Sequence, residues 1–96
     1  MSAYVIGEIE VTDPAAYEDY RRQVLAVVTK YGGKFIVRGG NIDPKEGGWN
    51  PKRIVVLEFP SMAQAQKWYG SPEYAPLIKL RQKAAKGRLI IVEGAA

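Results

Sequence analysis

From Ala3 to Val11 the chain alternates, with Val5, Gly7, Ile9 and Val11 on one side and Tyr4, Ile6, Glu8 and Glu10 on the other. That is the period of a strand with one dry and one mixed face. Asp13-Pro14 then supplies an N-cap followed by proline at the first helical position. Apolar residues recur at Tyr17, Tyr20, Val24, Val27, Val28 and Tyr31, predicting an amphipathic helix. Gly32-Gly33 ends it, because glycine reaches the left-handed conformation common at a helix C-terminus. Lys34 to Arg38 reads as a second strand, with Phe35 and Val37 opposite Lys34, Ile36 and Arg38. Asn41 to Lys52 has two prolines, a Gly-Gly pair and no periodicity, so a long loop is expected there.

Arg53 to Phe59 is the third predicted strand. If it returns beside the second as a hairpin, Arg38 lies near Ile54, Ile36 near Val56 and Lys34 near Glu58. Ser61-Met62-Ala63-Gln64 carries a capping-box pattern that opens a short helix through Trp68 and Tyr69 to Gly70. Ser71-Pro72 restarts a helix whose apolar arc is Tyr74, Leu77, Ile78, Leu80, Ala84 and Ala85, with Gly87 as its expected end. Arg88 to Glu93 is the last strand. The order strand, helix, strand, strand, helix, strand is that of an α+β, ferredoxin-like βαββαβ domain spanning residues 1–96, with a four-stranded antiparallel sheet.

In such a fold the helices cover one sheet face, so a face in water should be polar. Here Ile36, Ile54, Val56, Ile90 and Val92 lie opposite the helices, within runs such as Ile54-Val55-Val56-Leu57. At about 25 cal/mol per Å² of apolar area, leaving them wet costs several kcal/mol, out of a typical stability of about 5 to 15 kcal/mol. A homodimer through the open sheet face covers them, at roughly 800 Å² per partner. Glu8, Arg38 and Glu58 share the parity of those apolar residues. They are expected within or beside the space between sheets, as ions that fix dimer register.

Composition removes much familiar chemistry. The 96 residues contain no cysteine and no histidine, which excludes disulfides, thiolate nucleophiles, Ser-His relays and histidine-held metal or haem. No metal and no cofactor is expected. The net charge of +4 and pI near 9.4 invite a nucleic-acid reading, but the basic residues are scattered among acids. The third strand, RIVVLEF, also lacks the aromatic pattern of an RNA-binding sheet. Gly39-Gly40 and Gly47-Gly48 fit no phosphate-binding motif and read as turns. No nucleic-acid partner is expected. The opening Met1-Ser2-Ala3-Tyr4 has neither a basic n-region nor a long apolar stretch, so no membrane association and a cytoplasmic location are expected.

The phrases YGGKFIVRGG, RIVVLEFPS and WYGSPEY, with the opening VIGEIEVTDPAAYEDYRR, resemble a family of short bacterial proteins known as domain-of-unknown-function family 1330. The resemblance implies a dimeric α+β barrel of ferredoxin-like protomers and no established reaction. Relatives of that broader architecture include cofactor-independent monooxygenases, but a shared fold does not carry function.

Among single residues, Arg81 falls inside the apolar arc of its helix, where it must snorkel, pair with a carboxylate such as Glu58 or Glu8, or hold an anion. Tyr20, Tyr74 and Trp68 are core aromatics whose polar tips need partners, as in a small-molecule site. Trp49 is expected to fold over the sheet edge, a partner or a pocket mouth. The reading is a homodimeric small-molecule-binding protein, with Arg81, Tyr20, Tyr74, Trp68 and Arg38 as ligand-binding residues. Its stronger form is a cofactor-independent enzyme acting on a small aromatic or carboxylate compound. Glu58 is then the best available carboxylate for acid or base work, provided burial raises its pKa. The alternative is a structural module in which the buried charges serve only dimer register.

Overall fold

The computed structural model describes residues 1–96. Its elements are β1 (Ala3–Val11), α1 (Pro14–Lys30), β2 (Lys34–Arg38), β3 (Ile54–Phe59), α2 (Met62–Tyr69), α3 (Ala75–Ala84) and β4 (Ala85–Glu93). The strands lie in the order β2-β3-β1-β4, and every neighbouring pair is antiparallel. This is the ferredoxin-like arrangement. The three helices pack on one face of the sheet, α1 against α3, over a core of β1 and β3 side chains such as Val5, Ile9, Leu57 and Phe59. None of them is long and apolar enough to cross a membrane.

Local sequence explains most boundaries. The Asp13 carboxylate accepts from the Ala16 N–H at 3.2 Å, and Gly32 turns the chain after α1 with φ +82°. At α2 the Ser61 hydroxyl accepts from the Gln64 N–H at 3.1 Å. The Gln64 carboxamide donates at 2.8 Å to the Tyr31 carbonyl, tying the start of α2 to the end of α1. Ser71 caps the next turn by accepting from the Tyr74 N–H.

Two expectations are corrected. Helix α3 stops at Ala84, not at Gly87, and β4 begins at once. The Ala84 carbonyl, which would otherwise continue the helix, accepts instead from the N–H groups of Thr12 and Asp13 and from the Thr12 hydroxyl. Gly87 serves the strand, where a Cβ would lie 2.8 Å from the Glu8 carbonyl oxygen. In the β2–β3 hairpin Lys34 does pair with Glu58, but a bulge between Phe35 and Val37 shifts the remainder of the strand by one residue. Val37, not Ile36, pairs with Val56, and Arg38 pairs with Val55, not Ile54. The extra residue reverses the side to which Arg38 points, so it faces the helices.

The opposite sheet face is apolar and uncovered in the single chain. Ile90 is 59% exposed, Ile36 48% and Val92 42%, beside half-buried Ile6, Ile54 and Val56. Its ions sit at the two ends of this patch. Glu58 pairs with Lys34 at 3.2 Å and accepts from the Tyr4 hydroxyl at 3.1 Å. Glu8 accepts from Arg88 Nε at 2.6 Å and from the Trp49 indole at 2.9 Å, which folds the long loop over that end of the sheet.

Candidate functional site

Between the sheet and the helices lies a cleft floored by Val5, Gly7 and Leu57 and walled by Tyr17, Tyr20, Phe35, Trp68 and Tyr74. Its free volume is about 500 Å³ including the open mouth, and the side chains close it to a narrow slot. Four guanidinium groups join this lining, from Arg21, Arg38, Arg53 and Arg81, and no Asp or Glu does.

Each arginine arrives by a different local route. Arg81 projects from the apolar arc of α3. Arg38 reaches the slot through the bulge in β2, its guanidinium 4.1 Å from the Phe35 ring centroid and donating to the Arg21 carbonyl at 2.9 Å. Arg53 enters at the start of β3, its guanidinium 5.5 Å from the Tyr17 ring centroid. Gly39, with φ +74°, makes room for it, since a Cβ there would overlap the guanidinium. Arg21 has Glu18 at 3.8 Å on the exposed side of α1. Arg38, Arg53 and Arg81 form no ion pair at all.

The electrostatics follow from that composition. Burial, and next the charges of Arg21 and Arg53, push the Arg38 guanidinium below its usual range. Arginine stays charged regardless, so Arg38, Arg53 and Arg81 bring positive charge that no carboxylate of the chain pairs. Two donors in the lining, Arg53 Nε and Trp68 Nε1, are buried without an acceptor. The Tyr20 and Tyr74 hydroxyls, also of this lining, meet at 2.7 Å. Burial is the main cause raising both phenols, while the Arg81 charge pulls each the other way. Trp68 stacks on Tyr74 at 4.2 Å between centroids, fixing the slot's inner wall.

The five residues expected to bind a ligand, Arg81, Tyr20, Tyr74, Trp68 and Arg38, are thus brought to one cleft. Neither carboxylate expected as a partner for Arg81 reaches it, because Glu8 and Glu58 both lie across the sheet. Glu58 is also held by Lys34, then Tyr4, below the usual carboxylate range, which is opposite to the raised value that acid–base work there required. Arg53, Arg21 and Gly7 were not singled out from sequence. Arg53 carried a usable signal, since it shares the parity of the helix-facing Val55, Leu57 and Phe59 and is a charge in a dry row.

The family model described as Domain of unknown function (DUF1330) matches residues 2–95. The chain belongs to that family. The DUF1330 description carries no activity. No curated protein matches the sequence. The fold is similar to that of RPA0582, a protein of unknown function from Rhodopseudomonas palustris, with TM-score 0.75 and 21% identity over 99% of this chain and 83% of that one. It is also similar to SnoaB, a cofactor-independent oxygenase from Streptomyces nogalater, with TM-score 0.68 and 10% identity over 99% and 94%. A dimeric protein of unknown function with a ferredoxin-like fold from Bacteroides fragilis gives TM-score 0.65 and 12% identity over 97% and 96%. At these identities the likeness establishes the fold that this DUF1330 chain shares with them.

Proposed function

We propose that this protein is a homodimer that binds a small aromatic anion in the cleft between helices and sheet. The observation that carries the reading is the slot's composition: four guanidinium groups among aromatic walls with no carboxylate. Arg38, Arg53 and Arg81 are half-buried with no carboxylate paired to them, and a planar carboxylate matches a guanidinium in two parallel hydrogen bonds. The aromatic walls suit a ring. The structural alternative applies to the ions of the other face, Glu8–Arg88 and Glu58–Lys34, which sit where a second sheet would meet them. It leaves Arg38, Arg53 and Arg81 unexplained.

Dimerisation through the open sheet face is supported by the exposed row of Ile36, Val37, Ile90 and Val92 and by the dimeric neighbour from Bacteroides fragilis. A cofactor-independent reaction on the bound compound is the second reading. It is favoured by the Tyr20–Tyr74 phenol pair inside the slot and by the activity named for the Streptomyces neighbour.

Thermal denaturation with benzoate, phenol and a benzoquinone tests the binding reading. Benzoate is expected to raise the melting temperature, in proportion to RT ln(1 + [L]/Kd), and Arg81→Met to abolish that rise while the free protein melts within a few degrees of wild type. No rise with any compound, or an undiminished rise in the variant, contradicts it. Light scattering is expected to give the mass of two chains, and Ile90→Lys that of one.

A further inference from the structure

We infer that the cleft takes weakly acidic aromatic ligands as their anions, so that a bound phenol or enol loses its proton to solvent at a pH where the free compound keeps it. This deepens the binding reading above and rests on it. The step is a simple exchange: the ligand's O–H bond breaks, its electron pair stays on the oxygen as the anion, and the proton passes to buffer. No oxidant or co-reactant is involved.

β1 and β4 floor the slot with apolar residues, and positive charge or a donor comes from the other elements around it. Helix α1 presents Arg21 and the phenols of Tyr17 and Tyr20, β2 presents Arg38, and the start of β3 presents Arg53. On the α3 side Arg81 and Tyr74 face them. No carboxylate lines the slot, and only Arg21 has one nearby, Glu18 at 3.8 Å; burial first, and then the charges of Arg21 and Arg53, lower the proton affinity of Arg38. The Tyr20 and Tyr74 hydroxyls use one proton between themselves, which leaves the other O–H free to donate to an oxyanion. Arg53 Nε and Trp68 Nε1 add buried N–H groups that lack acceptors. An opposite charge within about 4–6 Å shifts an acid by roughly 1–3 pH units. Low-dielectric walls weaken that interaction less than water does.

Chemistry that could oppose the effect is absent from the lining. A carboxylate would repel the anion, and none of the chain's ten Asp and Glu residues lines the slot: Glu18 and Asp19 pair with Arg21 and Arg22 on α1, Glu73 beside Tyr74 is held by Lys30 and Tyr31, and Glu8 and Glu58 lie across the sheet. Neither arginine nor tyrosine ordinarily changes charge between about pH 5 and about 9. A titration seen in that window at the slot therefore belongs to the ligand.

The test uses 4-nitrophenol, whose anion is coloured and whose neutral form is not, with the intact protein in excess and binding followed independently by equilibrium dialysis. The bound probe is expected to ionise about one pH unit or more below the free probe, equivalent to at least about tenfold tighter binding of the phenolate than the phenol. A midpoint unchanged or raised, with the probe demonstrably bound, overturns the inference and leaves the binding reading standing. In a second arm 4-nitroanisole, similar in shape but without the acidic proton, is expected to bind at least tenfold more weakly at about pH 8. Equal binding overturns the inference. If neither 4-nitrophenol nor benzoate binds, the binding reading fails and the inference with it.

Discussion

Arg38 and Phe35 lie on the same side of β2, guanidinium over ring at 4.1 Å, although residues three apart in a regular strand point to opposite faces. The bulge between Phe35 and Val37 is the cause, and it moves a positive charge from the open sheet face into the cleft. Deleting Ile36 removes the extra residue yet keeps Phe35 and Arg38 on one side. The shortened protein is therefore expected to fold and to bind benzoate within about threefold of wild type, as read by calorimetry. A variant that folds but loses binding contradicts this account of the bulge.

Gly7 offers a way to fill the slot without disturbing the fold. The nearest atoms to a Cβ there are side-chain atoms of Ile9 and Leu89 at 3.7 Å or more, whereas one at Gly87 meets the Glu8 carbonyl at 2.8 Å. Gly7→Ala is expected to melt at or above the wild-type temperature, since alanine loses less entropy on folding, while weakening benzoate severalfold. Gly87→Ala is expected to destabilise. Thermal denaturation with and without benzoate distinguishes the pair.

The Tyr20–Tyr74 hydrogen bond is buried, so removing one hydroxyl strands the other. Tyr20→Phe is expected to cost about 1–3 kcal/mol in urea denaturation, and adding Tyr74→Phe to cost less than the sum of the single losses. Strict additivity would mean that the two hydroxyls do not depend on each other.

Acid stability depends in part on Glu73, which sits beside Tyr74. Its carboxylate pairs with Lys30 and accepts from the Tyr31 hydroxyl at 2.7 Å, and these contacts, Lys30 first, lower its pKa from 4.5 to about 2. A depressed carboxylate stabilises the fold above its unfolded value, and that contribution disappears as pH falls through the folded one. Glu73→Gln should therefore melt below wild type near neutral pH, and the gap should close as pH is lowered from about 4.5 towards about 2. A gap that stays constant across that range would place the role of Glu73 outside its charge.

Much of this architecture was legible in residue order. Asp13-Pro14 and Ser61 marked the starts of α1 and α2, whereas Ser71-Pro72 marked the turn before α3, which begins at Ala75; the alternation in Ala3–Val11 and the apolar parity of Ile54, Val56, Ile90 and Val92 defined the two sheet faces. Arg81 was conspicuous because helical spacing placed a charge in an apolar arc. Strict alternation fails at a single inserted residue, so it put Arg38 on the wrong face. The end of α3 was misread for a related reason: the partners of the Ala84 carbonyl come from Thr12 and Asp13, distant in sequence. Gly7 looked like an ordinary strand position until the space above it was known.

A crystal structure of the protein grown with benzoate tests the central claim most directly. The account predicts one ring between the aromatic walls, with its carboxylate about 3 Å from a guanidinium of Arg38, Arg53 or Arg81. Benzoate bound only outside the cleft, or bound inside with its carboxylate turned away from all three arginines, would contradict it.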